Sequence, residues 1–142
     1  MPITQIDIAV DNKPGRLNEI CEILEKEQIN IKAVMASSLS EPVPIHLIVN
    51  DPVRAENVLM SKGFTVQTKE VIAVASPDHP GGLNAVLRPL KESGINVETL
   101  YPFIFLGNGE AIIIIEVDNI EKAMEMLKKN WVKTYGSEIY KL

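Results

Sequence analysis

The segment Pro14-Gly15-Arg16-Leu17-Asn18 returns as Pro80-Gly81-Gly82-Leu83-Asn84, a spacing of 66 residues. The same spacing carries Leu24 to Leu90, Ile29 to Ile95, Asn30 to Asn96 and Ile31 to Val97. In a chain of 142 residues, such self-similarity means two copies of one small unit. The expected domains are 1–69 and 70–142. Units of that size lie near the lower limit for a self-sufficient core, so the copies should pack together or share strands.

Within the first copy, Ile6, Ile8 and Val10 alternate with Gln5, Asp7 and Ala9, the period of a strand buried on one face. Residues 11–15 break the alternation. Leu17, Ile20, Cys21 and Leu24 then form one apolar helix face, ending near Gln28. Strand alternation resumes at Ile29, Ile31 and Ala33 and, after a turn region over 37–44, at Ile45, Leu47 and Val49. Asp51-Pro52 opens a second helix, with Asp as N-cap and Pro at the first helical position. Ala55, Val58 and Leu59 face inward, and Gly63 stops it. Residues 64–76 contain neither Gly nor Pro and form one extended run, the last strand of one copy and the first of the next.

The second copy keeps this order. A strand over 71–75 and a loop over 77–82 precede a helix carrying Leu83, Val86, Leu87 and Leu90, kinked at Pro89 and closed by Gly94. A strand over 95–105, a hairpin turn at Gly107-Asn108-Gly109 and a strand over 110–117 follow. Asp118 with Glu121 forms a capping box for the last helix, whose inner face carries Ile120, Ala123, Met124 and Leu127. Residues 131–140 make the final strand. From Ala55 to Ala123 and Leu59 to Leu127 the spacing is 68, and the two added residues fit in the hairpin. Each copy is therefore β-α-β-β-α-β: an α+β unit with an antiparallel sheet and both helices on one face.

Composition closes off several classes of function. Hydrophobic residues at 46% and charged residues at 23% describe a soluble globular chain. A net charge of −5 with scattered Lys and Arg provides no basic stripe for nucleic acid or an anionic membrane. Cys21 is the single cysteine, which excludes an intrachain disulfide and any multi-cysteine metal site, and its helical position suits a small core residue. His46 and His79 lie far apart in sequence, so no metal and no cofactor are expected. The first residues do not resemble a secretion signal, and the apolar stretch 111–115 is too short to span a bilayer; a cytoplasmic protein is expected. Trp131, Met124 and Met126 read as packing residues.

The second copy is apolar on both faces of its sheet. Ala111, Ile113, Ile115 and Val117 fill one side of a strand while Ile112 and Ile114 fill the other; Tyr101, Phe103 and Phe105 crowd one side of its neighbour. Helices cover only one face, and an uncovered apolar face of this size invites association. A homo-oligomer, most simply a dimer, is expected.

The strand-to-helix loops are where the repeated residues are not core residues. A glycine at the helix start leaves backbone N–H groups and the positive helix end facing outward, which suits a small carboxylate. The same Pro-Gly also makes a tight turn with no ligand involved. The pattern Asp11-x-x-Pro14-Gly15-x-Leu17, a helix and then Ile29-Asn30-Ile31 resembles the ACT domain. The second copy matches through Pro77-Asp78-His79-Pro80-Gly81-Gly82-Leu83 and Gly94-Ile95-Asn96-Val97.

That resemblance covers nearly the whole chain and implies two ferredoxin-like units in tandem. It implies a non-catalytic regulatory protein that binds an amino acid or similar small metabolite where two such domains meet. In that family the first strand-to-helix loop and the start of the second strand line the pocket. The implied ligand-binding residues are Asn12, Lys13, Pro14, Gly15, Arg16 and Leu17 with Asn30 and Ile31. Their counterparts are Asp78, His79, Pro80, Gly81, Gly82 and Leu83 with Asn96 and Val97. Arg16 is suited to clamping a carboxylate, yet it faces Gly82 across the repeat, and Lys13 faces His79; the two loops are not expected to bind equally.

Two other readings stay open. The chain would serve as a trans-acting regulatory subunit if its apolar sheet docks on an amino-acid biosynthetic enzyme. A hydrolase of the acylphosphatase kind would use Arg16 and Asn30, although the glycine-valine-rich loop of that family is absent. An RNA-binding version of the fold fails on charge and on missing stacking aromatics.

Overall fold

Both copies realise the expected strand and helix order in the computed structural model, which describes residues 1–37, 40–103 and 110–142. The elements are β1 (Ile3–Val10), α1 (Arg16–Lys26), β2 (Ile31–Ala36), β3 (Val43–Val49), α2 (Pro52–Ser61) and β4 (Thr65–Pro77). There follow α3 (Gly82–Glu92), β5 (Val97–Pro102), β6 (Glu110–Val117), α4 (Ile120–Lys129), β7 (Thr134–Tyr135) and a 3-10 turn over Ser137–Lys141. The chain divides into an N-terminal unit, Thr4–Lys69, and a C-terminal unit, Glu70–Leu142 with Met1–Ile3. The division falls inside β4, which is continuous through it.

In the N-terminal unit the strands lie in the order β2, β3, β1, β4; in the C-terminal unit the order is β5, β6, β4, β7. Under the repeat these are the same order. Pairing repeats in detail: Ile31 faces Val49 and Ala33 faces Ile48, while Val97 faces Val117 and Thr99 faces Glu116, each pair of strands shifting register at the same step. A bulge copied at equivalent positions is a designed irregularity of the unit.

One layer of helices covers one face of each sheet. Ile20 and Leu24 of α1 and Ala55 and Leu59 of α2 pack on Ile6, Ile8, Ile45 and Leu47. Val86 and Leu90 of α3 and Ala123 and Leu127 of α4 pack on Ile72, Val74 and Ile115. Fully burying one such aliphatic side chain stabilises the fold by roughly 1.5–3 kcal/mol, so the periodic positions read from sequence are the ones that hold each unit together.

Several local expectations are corrected. The final strand is short, Thr134–Tyr135, because the chain turns into the 3-10 segment, where the Gly136 amide donates to the Glu138 carboxylate. The α4 cap is Asn119, whose side chain accepts from the Lys122 amide. Asp118 instead accepts from the Asn96 amide. The strand expected over 95–105 is described as Val97–Pro102, and the hairpin turn at Gly107-Asn108-Gly109 lies outside the described residues. Pro89 is buried within an unbroken α3, and its carbonyl accepts from both the amide and the hydroxyl of Ser93. On the second sheet face Tyr101, Ile112 and Ile114 are already 2%, 4% and 0% exposed in the single chain. No helix among the described residues is long and apolar enough to cross a membrane.

Candidate functional site

Each strand-to-helix loop ends in the same backbone geometry. Gly15 and Gly81 both have φ of 84°, the left-handed region, and serve as N-caps with no side-chain cap. The turn then closes identically: the Arg16 amide donates to the Lys13 carbonyl and Glu19 to Gly15, as Gly82 does to His79 and Ala85 to Gly81. Nothing lies within 4 Å of a Cβ built on either glycine. The backbone angle, and no close neighbour, selects glycine there.

The chemistry on this shared frame differs. In the N-terminal loop the Arg16 guanidinium is already paired, 2.5 and 3.2 Å from the two Asp11 carboxylate oxygens and 3.0 Å from Glu19. Lys13 reaches Asp11 at 3.1 Å. The Asn12 amide donates to the Glu41 carboxylate at 3.2 Å. Hydrogen bonds from Arg16 and then Lys13 hold the Asp11 carboxyl at about 2, below its usual 3.8, and Asp11 in turn raises Arg16. The acylphosphatase reading needs a guanidinium open to an anion; here it is committed to two carboxylates.

In the C-terminal loop no charge stands where Arg16 stands. Gly82 is buried against Pro77, and a Cβ on it would meet the Pro77 carbonyl oxygen at 1.8 Å. His79 Nδ1 lies 2.9 Å from the Pro80 carbonyl, which only accepts, so Nδ1 is the donor of that bond.

Beside each loop is a pocket, and the two are the same pocket drawn twice. The N-terminal one, about 350 Å³, is lined by Ala9, Asp11, Arg16 and Glu19 and by Lys62, Gly63, Phe64 and Thr65. The C-terminal one, about 390 Å³, is lined by Ala75, Pro77 and Ala85 and by Asn130, Trp131, Val132 and Lys133, with Asp78, His79, Val86 and Glu110 completing it. Three of these positions repeat at a spacing of 66 and four at 68.

Of the sixteen residues singled out by sequence, Arg16, Asp78 and His79 line these pockets. Asn12, Lys13, Pro14 and Gly15, with Pro80 and Gly81, form the bends themselves, while Leu17, Gly82 and Leu83 lie in the first turns of α1 and α3. Asn30 and Asn96 are engaged elsewhere, through the backbone. The Asn30 amide donates to the Asn50 side chain and its carbonyl accepts from the Asn50 amide; Asn96 makes the same pair with Asp118. Their repetition thus ties β2 to the start of α2, and β5 to the start of α4. Ile31 and Val97 pack against the two cores.

Sequence reading did not select Lys62–Thr65, Glu110 or Asn130–Lys133 as lining residues; the 68-residue spacing was the signal that aligns the second-helix exits. Trp131, expected as a packing residue, is 95% exposed. It has φ of 61°, at the repeat position of Gly63 with φ of 90°. A second polar cluster lies away from the loops: His46 donates to Asp7 at 2.8 Å, with Lys69 at 3.4 Å. Burial raises the Asp7 pKa, but hydrogen bonds from His46 and Gln5 outweigh it, leaving the carboxyl below its usual value. Among the described residues no group of three or more His, Cys, Asp or Glu is placed to hold a metal ion.

The family described as the ACT domain pair matches residues 1–138. Protein BT0572 from Bacteroides thetaiotaomicron is 34% identical over 100% of this chain and 98% of its own, with a TM-score of 0.92. A structure of the aspartokinase alpha and beta subunits aligns over 90% of this chain and 91% of that one at 18% identity and a TM-score of 0.63. The ligand-free regulatory subunit of aspartate kinase from Thermus thermophilus aligns over 89% and 91% at 13% identity, also with a TM-score of 0.63. These last two are likenesses of fold. No curated protein matches the chain.

Proposed function

The chain belongs to the ACT domain family as a tandem pair, and from that membership we propose that it is a non-catalytic regulatory protein binding an amino acid or similar small metabolite at its Pro-Gly loops. The observation that carries this reading is the pocket beside each bend, formed at equivalent positions of both units. Core residues repeat because a fold repeats. An open pocket that repeats next to a left-handed glycine is harder to explain by folding alone. Binding would work by population shift: a ligand moves the protein only by its differential affinity for two states.

Thermal denaturation with each of the twenty amino acids at millimolar concentration tests the proposal. A ligand at 100 times its Kd stabilises by about 2.7 kcal/mol, several degrees in a protein of this size. A flat response to all twenty would remove the amino acid from the reading. Since two solved structures of similar fold are aspartokinase subunits, an amino-acid biosynthetic enzyme is the first partner to seek for regulation in trans.

A further inference from the structure

We infer that only the C-terminal pocket takes a ligand, and that its ligand is an amino acid with a large apolar side chain covered by Trp131. The inference rests on the reading above and adds which pocket is used and what it selects.

The N-terminal pocket is satisfied by its own residues. Arg16 bridges Asp11 and Glu19, and the adjoining loop amide of Asn12 already holds the Glu41 carboxylate. A free amino acid would find space there but would have to compete with these pairs for the polar groups of the pocket. The C-terminal copy has lost that set: Gly82 stands for Arg16, Pro77 for Asp11 and Ala85 for Glu19. What remains is an apolar wall of Ala75, Ala85, Val86 and Val132, with acids Asp78 and Glu110 and the base Lys133 among the lining residues. Glu110 accepts only a long 3.5 Å hydrogen bond from the Tyr135 hydroxyl and the Lys133 ammonium lies 4.9 Å from the Tyr135 ring centre, looser engagements than the Asp11–Arg16 pair. An apolar wall lined by both charges matches an α-ammonium, an α-carboxylate and a hydrocarbon side chain. A volume of about 390 Å³ accommodates even an aromatic amino acid.

Trp131 makes the assignment specific. The helix exit needs a left-handed residue in both units, and the first unit uses Gly63. A tryptophan there bears a steric cost that glycine avoids, and its ring gains no burial in return, being 95% exposed. An indole on the lip of an apolar pocket buries its face only when something occupies that pocket.

Trp131 is the single tryptophan of the chain and borders both this pocket and a hollow of about 950 Å³ beside Met1 and Met124, so the emission is read together with the Ala85→Glu variant, which alters this pocket alone. Titration with L-phenylalanine, L-leucine or L-methionine should blue-shift its solvated emission; glycine and L-aspartate should not. 3-Phenylpropionate, lacking the ammonium group, should bind at least tenfold more weakly than L-phenylalanine. Calorimetry should give Trp131→Gly a Kd roughly tenfold higher with the fold retained, since it installs the residue of the first unit. Ala85→Glu, which restores the carboxylate of Glu19, should abolish binding.

An amino acid that raises the melting temperature without moving the emission, and binds both variants as tightly as the parent, would overturn this inference and leave the general function standing. No binding by any amino acid would overturn this inference and remove the amino acid from the proposed function. Trp131 emission that is already blue and depends on protein concentration would also overturn it, by making the indole a contact between chains.

Discussion

A methyl group on Gly82 has nowhere to go, because the oxygen it would strike belongs to the Pro77 backbone rather than to a movable side chain. Gly82→Ala should therefore cost at least about 2 kcal/mol in urea denaturation. Gly15→Ala meets open space and suffers only from its φ of 84°, so about 1–2 kcal/mol is expected in the same assay. Trp131→Gly should run the other way and leave stability unchanged or raised by up to about 1 kcal/mol, the relief of a left-handed bulky residue less the added chain entropy of glycine. The Asp11 ion pair carries a definite pH sign. Its carboxyl titrates at about 2 when folded against 3.8 ordinarily, so its contribution is complete above 3.8 and disappears as pH falls through about 2. Arg16→Gln should bring the Asp11 carboxyl back toward 3.8 in a carbon-detected NMR titration.

Among the elements, α2 and α4 start alike by different means: Asp51 and Asn119 cap the third amide on, while Asn50 and Asp118 tie down Asn30 and Asn96. Asn119→Ala should destabilise by about 1 kcal/mol, whereas Glu121→Ala should have little effect in thermal denaturation, separating the observed cap from the capping box that the sequence suggested. This pair also measures how far sequence carries. Periodicity and the recurrent Pro-Gly placed the four α-helices and the succession of elements along the chain, because those signals are local and repeat. The Asx cap was misplaced by one residue because Asp118-Asn119 offers two competent oxygens in succession, and spacing cannot say which turns inward. The pocket was half legible for a related reason. Its loop side carries the Pro-Gly mark, while its other side is a helix exit marked by a glycine in one copy and by tryptophan in the next.

For the molecule as a whole, the repeat makes paired experiments possible. Leu24 and Leu90 are both fully buried at the same repeat position. Truncating either to Ala should cost about 2–5 kcal/mol, and near-equal losses in guanidinium unfolding would mean that the two cores are packed to the same standard. β4 passes from one unit to the other without a linker. Side chains in a strand alternate between faces, so one residue inserted between Ala73 and Val74 would put Ile72 and Val74 on opposite faces of β4, with only one of them still towards the core. Length has been gained between β5 and β6, where the spacing grew from 66 to 68. Each half keeps its own core and is free to diverge in chemistry, the circumstance in which one copy can keep an internal salt bridge and the other can gain a guest.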